Sequence, residues 1–210
     1  MPIRVLLVDD HLIVRQGLRS VLEREGYQVI GEAADGHQAL QLVQELRPDV
    51  AVVDFAMPLL NGIDTCREIH RLSPKTMTIL LTMHTEDQYV LGALQAGIRG
   101  FLVKTQAMAD LIQAIQEVHR GSVYLSPRIS HAVVQAYLGK SELPPDPLSS
   151  RERQVLQLIA EGKSTKEVAF FLGISYKTAE SHRTRLMEKL DIHETASIVR
   201  YAIRQGLVQP

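Results

Sequence analysis

Asp49-Val-Ala-Val-Val-Asp54, running into Phe55-Ala-Met-Pro-Leu-Leu-Asn-Gly62, decides the fold. A short, β-branched apolar run bounded by turn residues reads as a strand buried on both faces, as in parallel sheets. Asp54 closes that run, and open α/β sheets bind their ligands beyond the C-terminal ends of the strands. Turn initiation is the plainer role for such an aspartate. A site is favoured because further polar residues fall at other strand ends.

Outward from this strand the first part of the chain alternates two periodicities. Strands are expected at 3–8, 28–33, 49–54, 76–82 and 99–103, and helices at 12–25, 36–46, 63–72, 86–96 and 108–120. Gly26, Arg47-Pro48, Ser73-Pro74, Gly97 and Gly121 stop the helices. Five βα units predict a five-stranded, parallel, doubly wound α/β sheet with helices on both faces. Right-handed crossovers bring all strand C-termini to one rim.

Residues 122–147 read as a linker. Ser126 and Pro127 open a short helix reaching about residue 138, and Pro144, Pro145 and Pro147 make the rest a semi-stiff spacer. From Leu148 the pattern is all-α. Ser149-x-x-Glu152 is a capping box, Ser164 caps a helix over 166–172, and helices follow at 176–190 and 194–205. The tight turn Leu172-Gly-Ile-Ser175 between two helices marks a helix-turn-helix. The expected organisation is an α/β domain at 1–121, the linker, and a helix-turn-helix domain at 148–210.

Charge supports the division. Through Gly121 there are 11 Lys+Arg against 15 Asp+Glu; from Ser122 onward there are 12 against 9. An acidic first part and a mildly basic second part suggest that the second faces a polyanion. The single cysteine, Cys66, excludes an internal disulfide and a cysteine-built metal site. With no signal-peptide pattern and no run long enough to span a bilayer, a cytoplasmic protein without membrane partners is expected.

The rim residues are Asp9 and Asp10 after the first strand, Asp54 on the third, Thr82 on the fourth and Lys104 on the fifth. Capping of the first helix is the plainer role for Asp9 and Asp10, and a solvated loop position for Lys104. Brought together, carboxylates about 4 Å apart repel by on the order of 4 kcal/mol per pair at an effective dielectric near 20. A divalent cation relieves this, and an all-oxygen donor set without His or Cys favours Mg2+. A carboxylate nucleophile, a metal, a lysine and a hydroxyl form the inventory of phosphoryl transfer.

Val5-Leu-Leu-Val-Asp-Asp10, Val52-Val-Asp-Phe-Ala-Met-Pro58, Leu80-Leu-Thr82 and Gly100-Phe-Leu-Val-Lys104 resemble the receiver domain of two-component response regulators. The resemblance implies that Asp54 accepts phosphate from a sensor histidine kinase and loses it by self-catalysed hydrolysis, without the chain being an enzyme in the ordinary sense. It further implies that Asp9, Asp10, Asp54 and the Ala56 carbonyl hold Mg2+. Lys104 and Thr82 would bind the phosphoryl group. Phe101 would turn inward and link the site to the face of helices 86–96 and 108–120. Two departures stand out: Thr105 follows the lysine where many receivers have proline, and Met83 follows the threonine and is expected to narrow access to Asp54.

Leu148-Ser-Ser-Arg-Glu-Arg-Gln-Val-Leu156, Ile159-Ala-Glu-Gly162, Lys166-Glu-Val-Ala169 and Lys177-Thr-Ala-Glu-Ser-His-Arg183 resemble the LuxR-type helix-turn-helix. The whole chain thus resembles a NarL/FixJ-type response regulator. At about 100° per residue, Ala179, Leu186, Met187 and Leu190 form the inner arc of helix 176–190, and Lys177, Ser181, Thr184, Arg185 and Glu188 face outward to double-stranded DNA, with Glu180 beside them. Arg183 is expected to lay its stem on the core and its guanidinium on a phosphate or an acidic neighbour. Phosphate contacts fall to Lys166, Thr178, His182 and Lys189. The resemblance places homodimer contacts on the last helix at Ile198, Tyr201 and Ala202, with inverted half-sites on the DNA and the transcription machinery as a further partner. The first alternative is a regulator of the same architecture that works without phosphate. The second is an enzyme with an aspartyl nucleophile, which would need an acid where Ala56 stands.

Overall fold

The computed structural model describes residues 2–83, 97–104, 108–127, 129–130 and 147–208. The helix expected at 86–96 and most of the linker helix lie outside them. The chain divides into two compact units, Met1–Met57 with Asn61–Leu143, and Pro58–Leu60 with Pro144–Pro210.

In the first unit, β1 (Arg4–Val8), β2 (Gln28–Ala33), β3 (Val50–Asp54), β4 (Met77–Thr82) and β5 (Gly100–Val103) pair in parallel in the order β2-β1-β3-β4-β5. Strand alternation sorts their side chains onto two faces. Val5, Leu7, Val50, Val52, Ile79, Leu81 and Leu102 share one core with Leu18 and Leu22 of α1 (Leu12–Arg24) and Leu111, Ile115 and Val118 of α4 (Met108–His119). Leu6, Val8, Ala51, Val53, Leu80, Phe101 and Val103 share the other with α2 (Gly36–Leu46) and α3 (Gly62–Leu72). Burial on both sides explains why β3 reads as an unbroken apolar run rather than an alternating one.

Among the described residues the sheet has six strands, not five. Tyr124–Leu125 forms β6 and pairs with Gly100 and Phe101 of β5, within the stretch expected to be linker. After Gly121 the chain turns back along the open edge of β5, whose peptide groups would otherwise lack partners. Two residues are too few to show a period, so this strand left no sequence signal.

The second unit is helical: α5 (Ser150–Ala160), α6 (Thr165–Phe171), α7 (Tyr176–Leu190) and α8 (Thr195–Arg204). Full capping boxes, Ser149 with Glu152 and Ser164 with Glu167, start α5 and α6. Gly173, at φ 61, makes the left-handed turn between α6 and α7, a conformation that strains residues bearing a Cβ. Val155, Leu156, Leu158, Val168, Ala179, Leu186, Ile198 and Ala202 form its core. Among the described residues no helix is long and apolar enough to cross a membrane.

Gly62 ties the loop after β3 to the strand. Its N–H bonds the Phe55 carbonyl at 2.9 Å, and a Cβ there would lie 2.1 Å from the Asp54 carbonyl oxygen. Gly62→Ala must therefore push α3 or the end of β3 aside. We expect a loss of about 2 kcal/mol in denaturant unfolding of the first unit; an unchanged midpoint would show that this approach is not tight.

Candidate functional site

The topology sets β1 beside β3 at the sheet's centre, where strand order reverses and a crevice opens. Asp9 continues β1 by donating its N–H to Ala33 at 3.1 Å, and its side chain is almost fully buried. Asp54 ends β3 and is 3% exposed. Lys104 follows β5, held by its N–H to the Thr82 carbonyl at 2.7 Å. Its ammonium lies between the two acids, 2.8 Å from Asp9 Oδ2 and 2.8 Å from Asp54 Oδ1. Three strands thus bring one cation and two carboxylates to a single point.

Asp10 is exposed beside this centre, and Asp9, Asp10, His11 and Asp54 each offer a ligand atom within 4.8 Å of the others. His11 is a neighbour of these acids that the sequence reading did not include. It is the N-cap residue of α1, its N–H bonds Asp9 Oδ1 at 2.8 Å, and its Nδ1 lies 2.7 Å from Asp10 Oδ1. Because His11 holds the cap position, neither acid is the cap itself. Arg15 was also missed: its Nη1 donates to the Asp9 carbonyl at 2.5 Å, and its Nε approaches Glu32 at 3.4 Å. Its position one helical turn beyond His11 was the available signal.

Thr82 and Phe101 are each 1% exposed, Phe101 turned into the core as expected, and Ala56 is half-buried. Met83, expected to narrow access to Asp54, is 61% exposed. Thr105 lies outside the described residues.

Electrostatics follow from burial. Desolvation pushes the Asp54 carboxyl up to about 6; Lys104 opposes this, and the charges of Asp9 and Asp10 add to it. Burial disfavours the Lys104 ammonium, yet the bonds and charges of Asp54 and Asp9 outweigh it and raise its pKa.

In the second unit Lys166, Lys177, Thr178, Glu180, Ser181, Thr184 and Arg185 are exposed, while His182 and Arg183 are half-buried. Ala179 and Leu186 are buried on the inner arc, as the helical projection predicts. Ser175 caps α7 by accepting from the Thr178 N–H, and the hydroxyls of Ser175 and Thr178 lie 2.8 Å apart.

Three expectations change here. Among the described residues Arg183 meets no acid: it donates to the hydroxyls of Thr165 at 3.3 Å and Thr195 at 3.1 Å, joining the first turns of α6 and α8 to α7. Lys189 is engaged within the unit, its ammonium 2.7 Å from Glu152. Burial of Glu152 works against its charge, but Lys189 and Ser149 overcome it and hold the carboxyl at about 2. Ile198 and Ala202 are fully buried in the unit's own core, leaving only half-buried Tyr201 of the three expected dimer residues available at the surface. In a unit this small, core demand takes the apolar face of α8 first.

A parallel α/β sheet with a carboxylate–lysine centre, followed by a helix-turn-helix, defines a response regulator with a DNA-binding output. Comparison with known proteins agrees. Residues 5–116 match the response regulator receiver domain, and residues 146–202 match the bacterial regulatory proteins of the luxR family. The transcriptional regulatory protein LiaR of Bacillus subtilis is 37% identical over 209 residues, covering 98% of this chain and 99% of LiaR. The response regulator UvrY of Escherichia coli is 38% identical over 208 residues, covering 98% of this chain and 95% of UvrY. RcsB of Salmonella enterica, solved bound to promoter rprA in the presence of the phosphomimetic BeF3-, is 29% identical with a TM-score of 0.68, covering 96% of this chain and 98% of RcsB. The chain belongs to the LuxR family of DNA-binding two-component response regulators, which are transcription regulators rather than classical enzymes.

Because Asp54 titrates near 6 rather than at its ordinary 3.8, the stability it carries is complete below pH 3.8 and is lost as pH rises through 6. In chelator, Asp54→Asn should therefore melt close to wild type near about pH 4. At about pH 7.5 it should be the more stable by on the order of 2–3 kcal/mol in calorimetry. A difference that does not widen with pH would contradict the buried, repelled carboxylate.

Proposed function

We propose that the chain is a cytoplasmic transcription factor switched by phosphorylation of Asp54 from a sensor histidine kinase. The observation that carries this reading is the Lys104 ammonium held 2.8 Å from both Asp9 and Asp54 at the rim of the sheet. In transfer, an Asp54 carboxylate oxygen attacks the phosphorus of a phosphohistidine, the P–N bond breaks as the O–P bond forms, and the imidazole leaves. Lys104 exchanges its carboxylate partner for a phosphoryl oxygen, and the Thr82 hydroxyl donates to another.

The carboxylates of Asp9, Asp10 and Asp54, with the Ala56 carbonyl, are hard oxygen donors of the kind Mg2+ takes. Bound there, Mg2+ would neutralise charge on the phosphoryl oxygens and on the acids. Asp9 positions the His11 peptide and Lys104, and Asp10 supplies the exposed carboxylate. Slow loss of phosphate to water, assisted by the same residues, returns the chain to rest.

Phosphorylation acts by shifting a pre-existing equilibrium, with Thr82 and Phe101 moving with the phosphoryl group. Going from 1:99 to 99:1 requires about 5.5 kcal/mol of differential stabilisation. The new bonds to Thr82 and Lys104, together with dimer contacts, supply it. Exposed Ala196, Arg200 and Arg204, with half-buried Val199, Tyr201 and Ile203, give α8 the surface a second copy can meet. A two-fold pair then reads inverted half-sites about one DNA turn apart. Lys177, Glu180, Ser181, Thr184 and Arg185 enter the major groove, and Lys166, Thr178 and His182 lie toward phosphates; the DNA-bound dimer is what the transcription machinery meets.

At fixed salt, a small acyl phosphate with Mg2+ should raise the affinity of wild type for its operator by roughly tenfold or more. Asp54→Asn should show no such gain in a gel-shift titration. An equal response of both proteins would place the switch elsewhere and favour the phosphate-independent regulator.

A further inference from the structure

Helix α7 carries an acid where a polyanion is expected. Glu180 lies in its second turn, exposed, between Lys177 and Thr184 on the outward face. Its carboxylate has no hydrogen bond or ion pair among the described residues. Lys177, one turn before, does not pair with it, and Arg183 is committed to Thr165 and Thr195. The Thr184 hydroxyl donates to the Glu180 carbonyl at 3.1 Å, so its proton is engaged within the helix. Glu180 is therefore the one outward acid in the first three turns of α7, where recognition helices meet base edges.

Phosphates repel a carboxylate, so its favourable use in the groove is to accept from a base donor. Guanine presents N7 and O6 acceptors and thymine an O4 acceptor, both of which repel it. Adenine sets its N6 amino donor beside the N7 acceptor. Cytosine alone offers an amino donor with no acceptor beside it on its own major-groove edge. Resting on the DNA-binding reading above, we infer that Glu180 is a specificity-determining residue that selects cytosine at one position of each half-site by accepting from its N4 amino group.

The same chemistry predicts a switch. A glutamine amide is both donor and acceptor, which matches adenine N6 and N7. The experiment is selection from randomised double-stranded DNA by the full-length chain, with Mg2+ and a small acyl phosphate, comparing wild type, Glu180→Gln and Glu180→Ala. Wild type should enrich a paired motif with cytosine at one position per half-site. Glu180→Gln should move that position to adenine by roughly tenfold. Glu180→Ala should relax it and leave the other positions intact. Identical motifs for all three proteins would overturn the assignment. Loss of the entire motif in a variant that melts like wild type would also overturn it, by giving Glu180 a general rather than a base-reading role. Failure of wild type to enrich any motif would instead remove the DNA-binding reading, and this inference with it.

Discussion

One ammonium group satisfies two buried carboxylates, and the first unit is arranged to make that possible. Asp9, Asp54 and Lys104 come from the ends of β1, β3 and β5, residues far apart in sequence that only the parallel sheet brings within 2.8 Å. Without Lys104 the two acids would face each other nearly desolvated, at a cost of several kcal/mol at close range. With it, Asp54 still titrates near 6, since burial and the neighbouring acids outweigh the lysine. The centre is held together but not neutral. A site with one positive charge for three acids attracts further cationic charge, and a phosphoryl group with its metal is what such a centre can accommodate. Gly62 and the bonds of Asn61 to Asp64 hold the adjoining loop, so the carboxylate is presented by packing rather than by a flexible segment.

The second unit separates structural charge from surface charge. Glu152, buried at the start of α5, takes Lys189, and Arg183 joins the first turns of α6 and α8 through two threonine hydroxyls. These cations anchor α7 from its inner side. Lys177, Glu180, Ser181, Thr184 and Arg185 are left outward, a mixed set of donors and acceptors rather than a uniformly basic stripe. Such a face suits discrimination among bases more than general attraction to phosphate.

What could be read from the sequence follows physical lines. The five long strands and the rim residues were legible because β-branched runs end in polar residues, and parallel topology sends every strand end to one edge. β6 was not, because two residues carry no period. His11 directly follows Asp9 and Asp10 and was overlooked because its place at the cap depends on where α1 begins, which the sequence does not fix to the residue. Lys189 looks like a surface cation in a helical projection, and the projection that lays the Arg183 stem on the core does not show which groups its guanidinium meets. Ile198 and Ala202 were assigned to a partner on the resemblance, which does not show how much of the apolar face of α8 the domain keeps for its own core. Tertiary demand decided each of these misses, and a single sequence does not display it.

The central claim is that Asp54 becomes phosphorylated within this acid–lysine centre. Intact mass spectrometry of the full-length chain after incubation with a small acyl phosphate and Mg2+, alongside Asp54→Asn, addresses it directly. The account predicts a single phosphoryl adduct on wild type, none on the variant, and none on wild type when Mg2+ is chelated. A folded wild-type protein that binds DNA yet gains no adduct, or an adduct of equal yield on Asp54→Asn, would contradict it.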